Sequence, residues 1–277
     1  MSTTTKQVAL IVGGASGIGE ATARKLASRG CVVVIADMNE KLGKSVAEDI
    51  SRIYGVEAEF VRIDVTNEES VKAAVDFAAS RTGRLDFAAN CAGICESTWE
   101  EEKSITVELF DRTHAVNTRG IWLCQKYEAA QMQKQDPRQI SFSPPSQHAV
   151  PGQRGAIANV ASMAGLHAMG LAAYTPSKYA AVGVTKNGAK FYGPDGIRCN
   201  ALCPGWTMTA MTEHSMGEEA KLGTEENENS AVAKAISLRR MAFAQEQANV
   251  LGFLLSDESS YMNGSVVVVD GGYHDIR

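Results

Sequence analysis

Short, mainly apolar runs alternate with amphipathic stretches along most of the chain, and this rhythm restricts the fold more than any other feature. Val8–Val12, Cys31–Ala36, Leu85–Ala89, Ala156–Ala161, Ile197–Leu202 and Val266–Val269 are too short to be called helices, and Val32 to Ile35 is β-branched. Such runs fit strands buried on both faces. Glu57 to Ile63 alternates instead. Between them, Gly17–Arg29, Asn39–Ile53, Asn67–Arg81, Ala172–Tyr192 and Gln245–Leu255 carry helical periodicity, and Ser104–Lys134 holds one or two helices. In the second of these, Leu42, Val46 and Ile50 are four apart and predict one apolar face. Strand and helix in alternation predict an α/β fold: a doubly wound parallel sheet of about seven strands with helices on both faces.

With 277 residues, the chain can bury a core without disulfide or metal staples. A net charge of −5 offers no basic face to a phosphate backbone, so nucleic acid is not expected as a partner. No apolar run reaches the roughly 20 residues that span a bilayer. Val8–Val12 is too short for a signal peptide, and a cytoplasmic protein is expected. The six cysteines read as buried free thiols. Cys91 and Cys95, like Cys199 and Cys203, are spaced C-x3-C, but no His stands at ligand spacing and no metal site is expected. Neither a repeat nor a linker divides residues 1–277, so one domain is expected. Two stretches break the rhythm: a proline-rich insertion at 135–155, and a polar segment at 213–230 that suggests a substrate lid over about 205–235.

Val12-Gly13-Gly14-Ala15-Ser16-Gly17-Ile18-Gly19 joins the first strand to the first helix. Gly13, Gly17 and Gly19 allow a tight turn and close approach of backbone to a pyrophosphate, with the helix N-terminus beyond. The spacing is G-x3-G-x-G rather than the commoner dinucleotide fingerprint. The next strand ends at Asp37, about 20 residues on, where a carboxylate can bond ribose hydroxyls and repel a 2′-phosphate. No Arg or Lys stands at 14–18, 38 or 39. NAD is therefore expected over NADP.

Tyr174 and Lys178 are spaced i and i+4, which places them on one helix face. A neighbouring ammonium and a positively charged nicotinamide favour a phenolate, so Tyr174 can exchange a proton with a substrate hydroxyl. Ser162 follows a strand and can hydrogen-bond the same oxygen.

These motifs together resemble the short-chain dehydrogenase/reductase family, over nearly the whole chain. Gly13-x3-Gly17-x-Gly19, with Ser16 and Ile18 inside it, fits the cofactor loop, and Asp64-Val65 fits the adenine-contacting acidic pair. Asn90-Cys91-Ala92-Gly93 resembles the family's Asn-Asn-Ala-Gly motif. Asn117, Ser162, Tyr174 and Lys178 match its catalytic tetrad, Pro204-Gly205 with Thr207 and Thr209 its nicotinamide-side turn, and Asp270-Gly271-Gly272 the end of its last strand. The resemblance implies a Rossmann-type NAD(P)-dependent oxidoreductase. Tyr174 would be the acid/base, and Lys178 would lower its pKa and bind the nicotinamide ribose. Ser162 would polarise the substrate oxygen, while Asn117 holds a relay water. It also implies a homotetramer or homodimer, built through the helices around 106–134 and 172–192.

Val12, Cys91 and Pro176 depart from the family's usual Thr, Asn and Ala. The insertion at 135–155 is similar to one in fungal members, often from secondary metabolism. Met163, Leu166, Met169, Cys95, Trp206, Met208 and Met211 are expected to wall the substrate site, which suits a hydrophobic secondary alcohol or ketone. His167 and His214 fall nearby. Two other readings are an enzyme of altered chemistry (epimerase, dehydratase or cyclase) and a catalytically silent dinucleotide-binding sensor, since fold does not fix function.

Overall fold

A computed structural model describes residues 6–95, 102–142, 144–145, 147–216 and 231–274. Seven parallel strands form the central sheet, in the order β3-β2-β1-β4-β5-β6-β9. They are β1 (Val8–Val12), β2 (Val32–Asp37), β3 (Ala58–Arg62), β4 (Phe87–Asn90), β5 (Gly155–Val160), β6 (Ile197–Pro204) and β9 (Val266–Val269). The short β7 (Thr207–Met208) and β8 (Ala242–Phe243) pair with each other outside this sheet. Residues of β1, β4, β5 and β6 are buried throughout, β1 as a continuous apolar run and the others with Asn90, Asn159, Arg198 and Asn200 buried among their apolar residues.

Helices α1 (Gly17–Ala27), α2 (Glu40–Tyr54) and the helix Ala244–Leu255 cover one face. The other carries α3 (Glu68–Ala79), α4 (Val107–His114), α5 (Ile121–Gln133) and α6 (Tyr174–Tyr192). Ile11, Ile35, Leu26, Ile50 and Leu254 pack on the first face, and Leu10, Val34, Leu123, Met132 and Ile157 on the second. The apolar face expected of α2 is corrected at one position. Val46 and Ile50 are buried, but Leu42 is 47% exposed. The helix presses on β3 through Gly43, where a Cβ would collide with the Phe60 ring, so the contact runs along Gly43, Val46, Ala47 and Ile50.

The one or two helices expected at 104–134 are α4 and α5, joined by a π-helical turn, Ala115–Gly120. The insertion at 135–155 is irregular but anchored. Arg138 and Gln153 pair as an isolated antiparallel bridge, and the Arg138 guanidinium binds Asp257. Of the polar segment at 213–230, residues 217–230 lie outside the described residues, as does the side chain of His214. Among the described residues no helix is long and apolar enough to cross a membrane.

The strand order reverses between β1 and β4. In sheets of this kind, the crevice at the carboxyl ends beside that reversal is where ligands bind.

Candidate active site

Gly13 turns the chain out of β1 with φ +76, and a Cβ on it would lie 2.6 Å from the Ala92 nitrogen. The loop therefore presses against the end of β4. At Gly19 a Cβ would overlap the Gly13 carbonyl, so only glycine lets the helix start close on its own loop. Ser16 is the N-cap of α1 but makes no side-chain cap bond. The helix N-terminus thus keeps N–H groups for an outside acceptor. Asp37, at the end of β2, accepts from Ala15 N through Oδ2 at 3.1 Å and from Asn39 N through Oδ1 at 2.9 Å. Its carboxylate is fixed beside the glycine loop.

These residues open into a cavity of about 600 Å³ at the carboxyl edge of the sheet. Gly13, Ser16, Gly17, Ile18, Gly19 and Asp37 line one end, with Asp64 and Val65 after β3. Thr66 donates to Asp64 Oδ1 through its hydroxyl (2.7 Å) and its N–H (2.9 Å), holding that carboxyl below its ordinary pKa. Ala92 and Gly93 line the cavity from β4, Pro204, Gly205, Thr207 and Thr209 from β6 and β7, and Ser162, Tyr174 and Lys178 from β5 and α6.

Two expected site residues do not line it. The Asn90 side chain is buried at the end of β4, where Nδ2 donates to Glu128 Oε2 at 3.0 Å and Asn159 Oδ1 at 2.9 Å. Asn117 lies just behind the wall, in the π-helical turn. Its Oδ1 accepts from Ile94 N at 2.9 Å, and its Nδ2 donates to Ile94 O at 2.8 Å and Ser177 Oγ at 3.0 Å. With its amide bonded to those three groups, the side chain positions the loop after β4.

Lys178 is buried, and burial pushes its pKa down to about 8. The thiols of Cys95, Cys203 and Cys91 work in the opposite direction. Its Nζ stands 5.4 Å from the Tyr174 ring centroid. Gly93 fits between Lys178 and Asn117, since a Cβ there would lie 3.3 Å from Nζ and 3.2 Å from Asn117 Oδ1. Ser162 caps the short turn Met163–Gly165, its Oγ accepting from Ala164 N at 3.1 Å. Pro176 is the third residue of α6, a position whose N–H has no intrahelical partner to lose, so the first turn is intact.

Sequence reasoning missed Met38, Ile63, Thr66, Ile94, Arg112 and Val116, which also line the cavity. Arg112 and Val116 come from one face of α4 and its extension. That spacing is visible in the sequence, but the element's direction is not. The expected substrate wall is corrected in part. Met211 lines the cavity, whereas Met163 is buried core and Leu166 packs with Ala161, Val182 and Cys203. The His167 ring lies against that of His274, with centroids 3.2 Å apart, bringing the C-terminal tail onto the segment after Ser162. All six cysteines are free thiols, and burial raises Cys91 to about 12 and Cys203 to about 11. Among the described residues no three His, Cys, Asp or Glu side chains cluster as metal ligands.

Sheet order and cleft define a Rossmann-type α/β protein. The family model described as Enoyl-(Acyl carrier protein) reductase matches residues 13–274. Short-chain dehydrogenase fogB of Aspergillus ruber is 36% identical, covering 95% of each chain, and short-chain dehydrogenase srdC of Neurospora crassa is 37% identical, covering 94% of each. The crystal structure of levodione reductase superposes with a TM-score of 0.84 at 31% identity, covering 99% of both chains. The chain belongs to the short-chain dehydrogenase/reductase family, whose members named here are dehydrogenases and reductases.

Proposed function

We propose that this chain is an NAD-dependent oxidoreductase acting between a mainly hydrophobic secondary alcohol and its ketone. The observation that carries this reading is convergence. Tyr174, Lys178 and Ser162 open into the same cavity as the glycine loop and Asp37.

The cavity fits a dinucleotide. Gly13 and Gly19 stand where any Cβ would collide, and the uncapped start of α1 offers N–H groups to a pyrophosphate. Asp37 would take the adenosine ribose hydroxyls, which favours NAD over NADP, and Asp64 and Val65 would take the adenine. Lys178 would hold the nicotinamide ribose, with Pro204, Gly205, Thr207 and Thr209 beside the nicotinamide. Bound there, the dinucleotide supplies the hydride chemistry.

The remaining steps belong to the protein. Ser162 Oγ hydrogen-bonds the substrate oxygen and fixes its position. The Tyr174 hydroxyl oxygen takes the substrate's proton in oxidation and returns it in reduction, aided by the Lys178 ammonium behind the ring. Asn117 holds the loop after β4, and with it Gly93, against Lys178. Met211, which lines the cavity, would help exclude water from the reacting atoms.

Phe110 (40%), Trp122 (45%), Tyr179 (47%) and Phe191 (65%) are exposed on α4, α5 and α6. Large aromatics in that setting support a homotetramer or homodimer formed through these helices. A cytoplasmic location accords with cysteines that form no disulfide.

The test follows reduced nicotinamide by absorbance while NAD and a panel of secondary alcohols are supplied. Turnover that is lost in Tyr174→Phe while NAD still binds is the expected result. Binding with no change in cofactor redox state for any alcohol or ketone would refute the dehydrogenase reading in favour of altered chemistry or a sensor.

A further inference from the structure

Ser177 is completely buried at the fourth position of α6, between Tyr174 and Lys178 in the same turn. Its Oγ donates to the Tyr174 carbonyl oxygen at 2.6 Å and accepts from Asn117 Nδ2 at 3.0 Å. The direction of both bonds is fixed by chemistry. A carbonyl can only accept and an amide NH2 can only donate, so the hydroxyl proton must point at Tyr174. The amide cannot be flipped either, because Ile94 N–H requires the Asn117 oxygen and Ile94 C=O requires its nitrogen. One directed chain therefore runs from the loop after β4, through the π-helical turn, to the backbone of Tyr174. Thr118 Oγ1 donates to the Ser177 carbonyl at 3.2 Å and ties the same turn to the same π segment.

A π-helical turn is costly to keep, and such turns concentrate at functional sites. Here it places consecutive side chains, Asn117 and Thr118, on one residue of α6. The first turn of α6 needs such an anchor. Pro176 supplies no N–H, and Ala173, at the N-cap, makes no side-chain cap bond.

We infer that Ser177 is a positioning residue, whose hydroxyl locks the first turn of α6 to Asn117 and thereby holds the Tyr174 phenol in register with the Lys178 ammonium. This rests on the reading of Tyr174 as the acid/base. The ammonium stands 5.4 Å from the Tyr174 ring centroid, and a turn free to rock changes its distance from the hydroxyl, on which the field at the phenol oxygen depends. The lock acts on backbone, so it leaves the dinucleotide cradle at the other end of the cavity untouched.

The experiment titrates tyrosinate by near-ultraviolet absorbance in the NAD complex, with Tyr174→Phe subtracted to isolate the one phenol. In Ser177→Ala the midpoint of Tyr174 is expected to rise by on the order of one pH unit. Turnover of a simple secondary alcohol such as cyclohexanol should fall by about tenfold or more, as small misplacements cost, while NAD affinity stays within about twofold. Ser177→Cys, which fills the same space with a poor donor, should move the midpoint in the same direction and serves if the alanine variant does not fold. A lowered melting temperature with an unmoved midpoint would overturn the inference, leaving Ser177 as packing alone. Failure of the underlying reading looks different: no Tyr174-dependent absorbance change below about pH 9 in the wild-type complex.

Discussion

Lys178 Nζ donates to the carbonyl oxygen of Val160, the last residue of β5, at 3.1 Å. The ammonium is thus held by the sheet itself, with the Tyr174 ring 5.4 Å away and its own side chain buried. A buried ammonium with one carbonyl partner is a destabilising feature, kept for what it does to its neighbour.

Lys178→Met should therefore separate stability from activity. Burial lowers the folded-state pKa of Lys178 from 10.5 to about 8. At neutral pH both states carry the proton, and the folded state bears the full desolvation cost. Between about pH 8 and pH 10.5 only the unfolded state is protonated, so wild-type stability recovers as pH rises. The methionine variant is expected to be about 1–3 kcal/mol more stable at neutral pH, with the gain shrinking toward alkaline pH. Its kcat/KM should fall by about 10² or more. Urea unfolding across this pH range, alongside cofactor turnover, checks both halves.

Asp37 bonds Ala15 N and Asn39 N, so its charge and its acceptor geometry are separate assets. Asp37→Asn keeps one acceptor and removes the charge. A 2′-phosphate then no longer faces a carboxylate, and preference for NAD over NADP should narrow by at least about tenfold. Calorimetric titration of both dinucleotides reads this directly. An unchanged ratio would mean that another group, Arg112 being the cavity-lining candidate, sets the preference.

The middle of the insertion at 135–155 is tied to the rest of the chain through Asp257. Arg138 donates to Asp257 through two nitrogens, and Ser141 N donates to the same carboxylate at 2.8 Å. Burial alone would raise the Asp257 carboxyl, but these donors hold it below its ordinary pKa. Arg138→Ala should cost about 1–3 kcal/mol, part of it for leaving a half-buried carboxylate unpaired. Limited proteolysis should then cut within 139–150 several times faster than in wild type, with NAD affinity unchanged. Equal cleavage rates would show that the Arg138–Gln153 bridge suffices.

The sheet was legible in the sequence because parallel strands covered on both faces leave runs such as Val8–Val12 with no polar residue. The glycine loop, Asp37, Ser162, Tyr174 and Lys178 were legible because each needs a particular residue type at a fixed distance from a strand or helix end. Local pattern does not carry the π-helical turn, since its extra residue serves a tertiary contact, Asn117 against Ile94. Nor does it show where the Asn90 side chain points. That motif position adjoins the cavity, but the side chain alternates to the far side of β4, where Gln125 and Glu128 wait on α5. Those two polar residues are buried, so α5 has no clean apolar stripe to read. Arg112 escaped for a related reason. Which face of α4 meets the cavity depends on the turn that follows it.

Glu128 makes the last prediction. It is fully buried, receives Asn90 Nδ2 on one oxygen, and its other oxygen and the Asn90 oxygen both lack partners. A buried acceptor without a donor is better served as a protonated carboxyl, and burial raises the Glu128 carboxyl to about 8. Below the ordinary pKa of 4.5 both states are protonated, and above it the unfolded carboxyl ionises while the folded one does not. Stability from this group is therefore lost as pH rises from 4.5 through about 8. Glu128→Gln supplies a permanent neutral donor in the same shape and removes that slope. The variant is expected to gain on wild type by about 1–3 kcal/mol between about pH 5 and pH 9, measured by urea unfolding at both ends. Parallel curves for the two proteins would mean that the carboxyl is already charged in the fold and paired by a buried water.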